Sequence, residues 1–238
     1  MWRLRHLTDT KTRWWPFARG SEITIAVIVI LTAGAVALWV HWRHLLTAVL
    51  AIFLITVLLF LFYFLRDPER QPPAGDGLFV APADGRVVTV QQTEEPIFLK
   101  GPATQISIFM SVLNVHVNRA PMAGEVAFRE YRPGRFLPAY RHEASGENES
   151  NLLGLVEGEM RILIKQIAGI LARRIVCWPS VGQRLARGQR FGLIKLGSRV
   201  DLFLPPDVEV LVAIGEKVRA GETVLARAPS TRLRGDIT

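Results

Sequence analysis

The 238-residue chain is almost without cysteine: Cys177 stands alone. One thiol excludes an intramolecular disulfide and any CxxC metal site, and it fits a reducing compartment. Its neighbours Ile175, Val176 and Trp178 suit a small buried hydrophobe better than a reactive thiol. Charge is missing in a more telling way. Asp, Glu, Lys and Arg are absent from Ile23 to Trp42 and again from Leu45 to Leu65. A helix needs roughly 20 apolar residues to cross the hydrocarbon of a bilayer, so each run is long enough. The break around Arg43 is too short for a domain, and the pattern predicts two membrane helices joined as a hairpin. A cleaved signal peptide is disfavoured, because a second apolar run follows and no small-residue cleavage site stands between them.

The charge that is present is unevenly placed. Residues 1–66 carry seven basic and two acidic residues, against 22 and 19 in residues 67–238. Arg3, Arg5, Lys11, Arg13 and Arg19 precede the first run, Arg66 and Arg70 follow the second, and the turn holds Arg43. Basic residues near helix ends mark the cytoplasmic side of a membrane. Both ends of the hairpin, and the domain beyond it, are therefore expected on the cytoplasmic side of the cell membrane. Trp14, Trp15, Trp39, Trp42 and Tyr63 lie near the expected interfaces, where amphipathic rings are favoured. Positive charge beside the bilayer suits anionic lipid. Nucleic acid is not expected as a partner, since no nucleic-acid motif accompanies the charge. The chain thus divides into a basic segment over residues 1–20, a membrane hairpin over 21–66 and a domain over 67–238.

Residues 67–77 read as a turn-rich linker. Short β-like runs follow at Leu78–Ala81, Arg86–Gln91, Gln105–Phe109, Glu125–Tyr131, Met160–Gln166 and Val200–Leu204. Arg132 to Asn151 is polar and is expected to be an exposed loop. Two segments with matching glycines, Val181–Gln189 and Ile214–Glu222, form a weak repeat, and Pro82–Val87 echoes Pro121–Val126. Such turns resemble those of lipoyl- and biotinyl-type sandwiches, where glycine permits tight reversals. The expected fold is mainly β: a β-sandwich or barrel-like domain with biotinyl-like hairpins, plus the N-terminal two-helix membrane hairpin. A biotinyl carrier needs a modifiable lysine in a Met-Lys-Met-like hairpin, and the chain has none. An enzyme and a non-catalytic, membrane-tethered adaptor are the two classes left.

Three separated stretches favour the enzyme. Ala81-Pro-Ala-Asp-Gly85, Phe109-Met-Ser-Val-Leu-Asn-Val-His-Val-Asn-Arg-Ala-Pro121 and Phe191-Gly-Leu-Ile-Lys-Leu-Gly-Ser198 together resemble the phosphatidylserine decarboxylases. Phe64-Leu-Arg-Asp-Pro-Glu-Arg70, following a two-helix anchor, is similar to the short-chain form of that family. The resemblance spans about residues 60–228. It implies a proenzyme that cleaves itself between Gly197 and Ser198 into chains 1–197 and 198–238. Ser198 would become a covalent pyruvoyl group, which decarboxylates phosphatidylserine to phosphatidylethanolamine through a Schiff base. No metal or diffusible cofactor is implied. The implied partners are phosphatidylserine, anionic membrane lipids and the second self-cleaved chain. Another serine lipid as substrate, and a homo-oligomer, stay open.

Individual residues carry two readings each. Phe191–Leu204 alternates like one strand with Gly197-Ser198 in its middle, where a bulge is the ordinary reading. A glycine carbonyl is little shielded, however, and glycine tolerates strained dihedrals, so the next hydroxyl can attack it. Turn chemistry alone favours Asp84 before Gly85; the resemblance makes Asp84 the carboxylate that orients or charges a base near Ser198. A lone histidine in the apolar run Val115-His-Val117 is ordinarily a core residue, whereas the resemblance assigns His116 to decarboxylation as proton donor. Longer-chain relatives carry a second histidine three residues later as the base for self-cleavage. This chain has Arg119 there, which leaves the base open between His116 and His142. Arg119, Ser111, Asn118 and His142 are candidates for substrate binding, Arg119 through its planar fork of donors. Arg184, Arg187, Arg190, Lys195 and Arg199 read as a solvated face.

Overall fold

The structure, a computed structural model, describes residues 16–139, 144–170, 175–194 and 197–229. They fall into two compact units, one ending at Glu69 and the other beginning at Arg70.

In the first unit, α1 (Glu22–Trp42) and α2 (Leu45–Phe64) occupy the two charge-free runs. At 1.5 Å per residue each is about 30 Å long, the thickness of bilayer hydrocarbon. α1 ends where Arg43 turns left-handed (φ 54°) and its N–H donates to Trp39 O at 2.8 Å. That cap reverses the chain within two residues. The hydroxyls of Thr32 and Thr56 donate to Ile28 O and Ile52 O, one turn back, at 2.7 and 2.9 Å. Both hydroxyls are thus satisfied within their own helices, which hydrocarbon surroundings would require. Many of the apolar side chains face outward, Leu45 at 82% exposure, while Ile25, Ala35, Ala51 and Phe64 are buried.

The second unit is built of short strands: β1 (Leu78–Val80), β2 (Gly85–Glu95), β3 (Gly101–Met110), β4 (Val117–Arg119) and β5 (Gly124–Arg132). A one-turn helix, α3 (Ala144–Glu147), precedes β6 (Ser150–Glu157), β7 (Met160–Ile167), β8 (Ile175–Cys177), β9 (Arg184–Leu185) and β10 (Arg190–Ile194). β11 (Ser198–Leu204), β12 (Glu209–Val210), β13 (Lys217–Val218) and β14 (Val224–Arg227) complete it. Eight strands form one curled sheet in the order β13-β2-β3-β11-β7-β6-β5-β9, and β1-β14-β12 and β4-β10-β8 make two smaller sheets. The pairings are antiparallel. Alternate residues of the large sheet, among them Ile106, Ile108, Leu153, Leu155, Ile162, Ile164, Val200 and Leu202, bury against Phe79, Phe191 and Leu225 of the small sheets. The period of two along a strand puts them on one face.

The two echoing sequence pairs turn out to be structural partners. Val181–Gln189 runs along Ala120–Val126, with Gly188 N–H donating to Ala120 O at 2.8 Å and Gly182 N–H to Val126 O at 2.8 Å. Ile214–Glu222 runs along Ala81–Val87 in the same way, Gly221 N–H to Ala81 O and Gly215 N–H to Val87 O, both 2.8 Å. All four glycines have positive φ, between 75° and 92°, where glycine escapes the cost of a Cβ. The outcome is β9 on β5 at one edge of the large sheet and β13 on β2 at the other. Its two ends are therefore closed by equivalent modules.

Two expectations about the elements need correction. Phe191–Leu204 is not one strand: β10 belongs to a small sheet and β11 to the large one, and Gly197 lies at the junction. Alternation is the same in two strands as in one, so it does not report the change of sheet. The polar interval Arg132–Asn151 is also not an exposed loop at its end, where Asn148, Ser150 and Asn151 are buried. Asn148 accepts from Leu137 N–H (2.9 Å) and donates to Leu137 O and Ala168 O (2.8 Å each), replacing water with backbone partners.

Candidate active site

Ser198 opens β11 and pairs with Met110, the last residue of β3. Ahead of it Gly197 has φ +62°, a left-handed conformation that other residues adopt only at a cost. Apart from its chain neighbours, nothing lies within 4 Å of where a Gly197 Cβ would be, so the demand for glycine here is conformational. Ser198 is fully buried, and its hydroxyl donates to Met110 Sδ at 3.4 Å. A thioether is a weak acceptor, and the hydroxyl is therefore held without being strongly engaged.

His116 immediately precedes β4 and is buried. Its carbonyl accepts from the N–H of Ile194, the last residue of β10, at 3.3 Å. β10 thus ties the histidine to the segment that leads into Gly197-Ser198. Two residues on, Asn118 closes a buried chain of amides: Asn151 Nδ2 donates to Gln166 Oε1 (3.0 Å), and Gln166 Nε2 to Asn118 Oδ1 (2.8 Å). Asn118 Nδ2 in turn donates to Pro82 O (3.4 Å) and Met110 Sδ (3.8 Å). Met110 is accordingly shared between Asn118 and Ser198.

Asp84 sits in the turn before β2. Arg70 grips both of its oxygens with a guanidinium fork, Nη1 to Oδ1 and Nη2 to Oδ2, the latter at 2.9 Å. Ala220 N–H adds a bond to Oδ1 at 2.8 Å. β3 separates this turn from β11. Two strand spacings of about 4.8 Å put the backbones of Asp84 and Ser198 on the order of 10 Å apart. The equivalent turn at the other sheet edge, Pro121-Met-Ala-Gly124, has Ala123 where this one has Asp84. Turn geometry therefore does not require the carboxylate.

The remaining candidates are placed as follows. Ser111 is tied locally, its N–H and hydroxyl both donating to Asn114 Oδ1 at 2.8 Å. Arg119 is buried, donating to Gly188 O at 3.1 Å with its Cδ packed against Gly221. His142 lies outside the described residues, as does Lys195. Of the expected solvated face, Arg184 pairs with Glu157, and Arg187 binds Pro73 O and Gly75 O of the linker at 2.8 and 2.7 Å. Arg199 departs from that expectation: it is buried, donating to Asp201 Oδ1 at 2.5 Å and Ser107 Oγ at 2.8 Å. It alternates with Ser198 along β11 and occupies the opposite face of the sheet, where a charge needs partners. Arg70, Met110 and Gln166 were not anticipated. Arg70 lay inside the anchor-exit motif, but nothing local to it names Asp84 as its partner. Among the described residues no group of three or more His, Cys, Asp or Glu side chains gathers as metal ligands.

Comparison with known proteins bears on this arrangement. The sequence profile of the family described as phosphatidylserine decarboxylase matches residues 57–226. A phosphatidylserine decarboxylase proenzyme from Symbiobacterium thermophilum is 52% identical over 216 residues, 90% of this chain and 94% of the relative. One from Ruegeria pomeroyi is 52% identical over 169 residues (69% and 77%), and one from Salinibacter ruber 47% over 207 residues (84% and 88%). The matched span takes in Asp84, His116 and Gly197-Ser198.

Proposed function

Because the chain belongs to the phosphatidylserine decarboxylase family, we propose that it converts phosphatidylserine to phosphatidylethanolamine through a pyruvoyl group made from its own Ser198. The observation that carries this reading is a left-handed glycine placed directly before a buried serine whose hydroxyl donates to a thioether, a weak acceptor.

Self-cleavage follows from those atoms. Ser198 Oγ bonds to the Gly197 carbonyl carbon and its proton passes to a base. The C–N bond then breaks, nitrogen keeps the electron pair and takes a proton, and an ester replaces the peptide. Loss of the Ser198 Cα proton expels Gly197 as a carboxylate with formation of a Cα=Cβ bond. The product tautomerises to an imine, and water displaces ammonia to leave a ketone at the head of chain 198–238. The site fits such a group: Ser198 is enclosed, Met110 supplies an apolar wall, and β3 fixes the strand that would carry it. Once formed, the pyruvoyl carbonyl supplies the electron sink that lets carbon dioxide leave an amine-bearing headgroup.

The chain's own residues do the rest. His116, buried and tied to the end of β10, is the proton donor at the carbon that loses carbon dioxide. Asp84 acts through an intervening group, in keeping with the intervening strand β3, and the Ala123 counterpart supports a role beyond the turn. Arg119 is a candidate for the headgroup's anionic atoms. α1 and α2 span the membrane with the catalytic unit on the cytoplasmic side, a reading that rests on their length and on the basic residues near their outer ends.

Intact mass of the purified chain tests this. Expected are a 1–197 fragment and a 198–238 fragment with a pyruvoyl terminus, together with carbon dioxide release from phosphatidylserine vesicles. Ser198→Ala should remain whole and inactive. A wild-type chain that stays whole and turns over no serine lipid would favour the membrane-tethered adaptor instead.

A further inference from the structure

We propose that Gly169 is a positioning residue for self-cleavage, holding the scissile carbonyl by leaving room for its oxygen. The inference rests on cleavage at Gly197–Ser198. A Cβ built on Gly169 would lie 1.9 Å from the carbonyl oxygen of Gly197 and 3.1 Å from its carbonyl carbon. The two distances differ by about one C=O bond length. The carbonyl therefore points, oxygen first, along the line to the place where any other residue would carry its side chain.

Gly169 and Gly197 need glycine for opposite reasons. Gly197 has open space but a left-handed φ; Gly169 does not have a left-handed φ but has no space. The chain at Gly169 is also anchored. Ala168 is fully buried, its N–H donates to Glu149 O at 2.9 Å, and its carbonyl accepts from Asn148 Nδ2 at 2.8 Å. Ser198, on the other side of the scissile bond, is held by its pairing with Met110. The peptide is thus fixed at Ser198 and bounded at its oxygen.

The chemistry uses that boundary. As Ser198 Oγ bonds to the carbonyl carbon, the C=O π pair moves onto oxygen and the carbon becomes tetrahedral. The oxygen must have room on the side away from the attacking hydroxyl. A methyl group at residue 169 would turn the carbonyl about its flanking torsions and carry the carbon off the line of attack. A misplacement near 1 Å costs about a hundredfold in rate.

The test follows conversion of the full-length chain, in detergent micelles, into the 1–197 and 198–238 fragments by intact mass over time. Wild type should cleave. Gly169→Ala should cleave about ten- to a hundredfold more slowly. The same Cβ would also come within 3.3 Å of Ala139 Cβ. The double variant Gly169→Ala/Ala139→Gly relieves that contact and should stay slow. Fold is checked in uncleavable chains: Gly169→Ala/Ser198→Ala should melt within about 5 °C of Ser198→Ala. Wild-type cleavage rate in Gly169→Ala, recovery in the Ala139→Gly double variant, or a larger loss in melting temperature would each overturn the proposal. A wild-type chain that never cleaves would instead refute the reading beneath it.

Discussion

At the scale of single residues, the groups around Ser198 differ in what they have been given to do. His116→Ala should lower decarboxylation by about 10² to 10⁴-fold, the range for a positioned proton donor. Carbon dioxide release by the processed protein measures it, and normal turnover would remove His116 from that role. Whether His116→Ala also stays uncleaved tells which group takes the Ser198 proton. Arg70 holds Asp84 in a buried, two-pronged pair with both side chains at or below 10% exposure. Removing one partner of such a pair strands the other charge, at a cost of about 3–5 kcal/mol. Denaturant unfolding of Arg70→Ala in the Ser198→Ala background checks this. A loss below about 1 kcal/mol would mean that Asp84 simply rehydrates, as exposed pairs do. Cys177 is half-buried on β8 rather than enclosed, and burial pushes its pKa up, against smaller downward pulls from Arg129 and Asn151.

At the scale of elements, β11 carries two different faces. Val200, Leu202 and Leu204 enter the main core, while Arg199 and Asp201 point into a polar cluster with Gln105, Ser107 and Ser145. Both Gln105 Nε2 and Ser145 Oγ donate to Asp201 Oδ2, at 3.2 and 2.8 Å, so the buried carboxylate is satisfied on several sides. Lys165, opposite Asp201 on β7, is pushed below the ordinary lysine range chiefly by burial, although Asp201 pulls the other way. The folded chain then releases this proton at a pH where the unfolded chain still holds it. Stability from Lys165 should rise as pH climbs through the window between its lowered value and 10.5. Denaturation midpoints across alkaline pH should show that slope in Ser198→Ala and a flatter one in Lys165→Met/Ser198→Ala. An unchanged slope would exclude Lys165 as its source.

At the scale of the whole molecule, the proposed cleavage cuts the chain without cutting a sheet. Chain 198–238 would hold β11 between β3 and β7, β13 on β2, and β14 on β1. Loss of one peptide bond leaves these ladders and the core intact. The two fragments should therefore co-purify through size exclusion and separate only in denaturant; early release of the smaller one would contradict the pairing. The near-equivalent edges, β13 on β2 and β9 on β5, make this scaffold close to symmetric. Asp84 against Ala123 is one place where the two edges diverge.

The sequence by itself determined the local terms. Charge exclusion over Ile23–Trp42 and Leu45–Leu65 set two helices of spanning length, and alternation located β2, β3, β5, β7 and β11 to within a few residues. The glycine repeats marked reversals because positive φ is a property of one residue and its immediate neighbours. Only the tertiary structure decided which strands meet. Ser198 faces Met110 across 88 positions of chain, and Asp84 bonds to Ala220 across 136. It also decided that Arg199 is buried, that Arg119 is enclosed beside Gly188, and that Gly169 stands at the carbonyl of Gly197. Periodicity tells which side of a strand a residue occupies; the pairing of distant strands determines what it finds there.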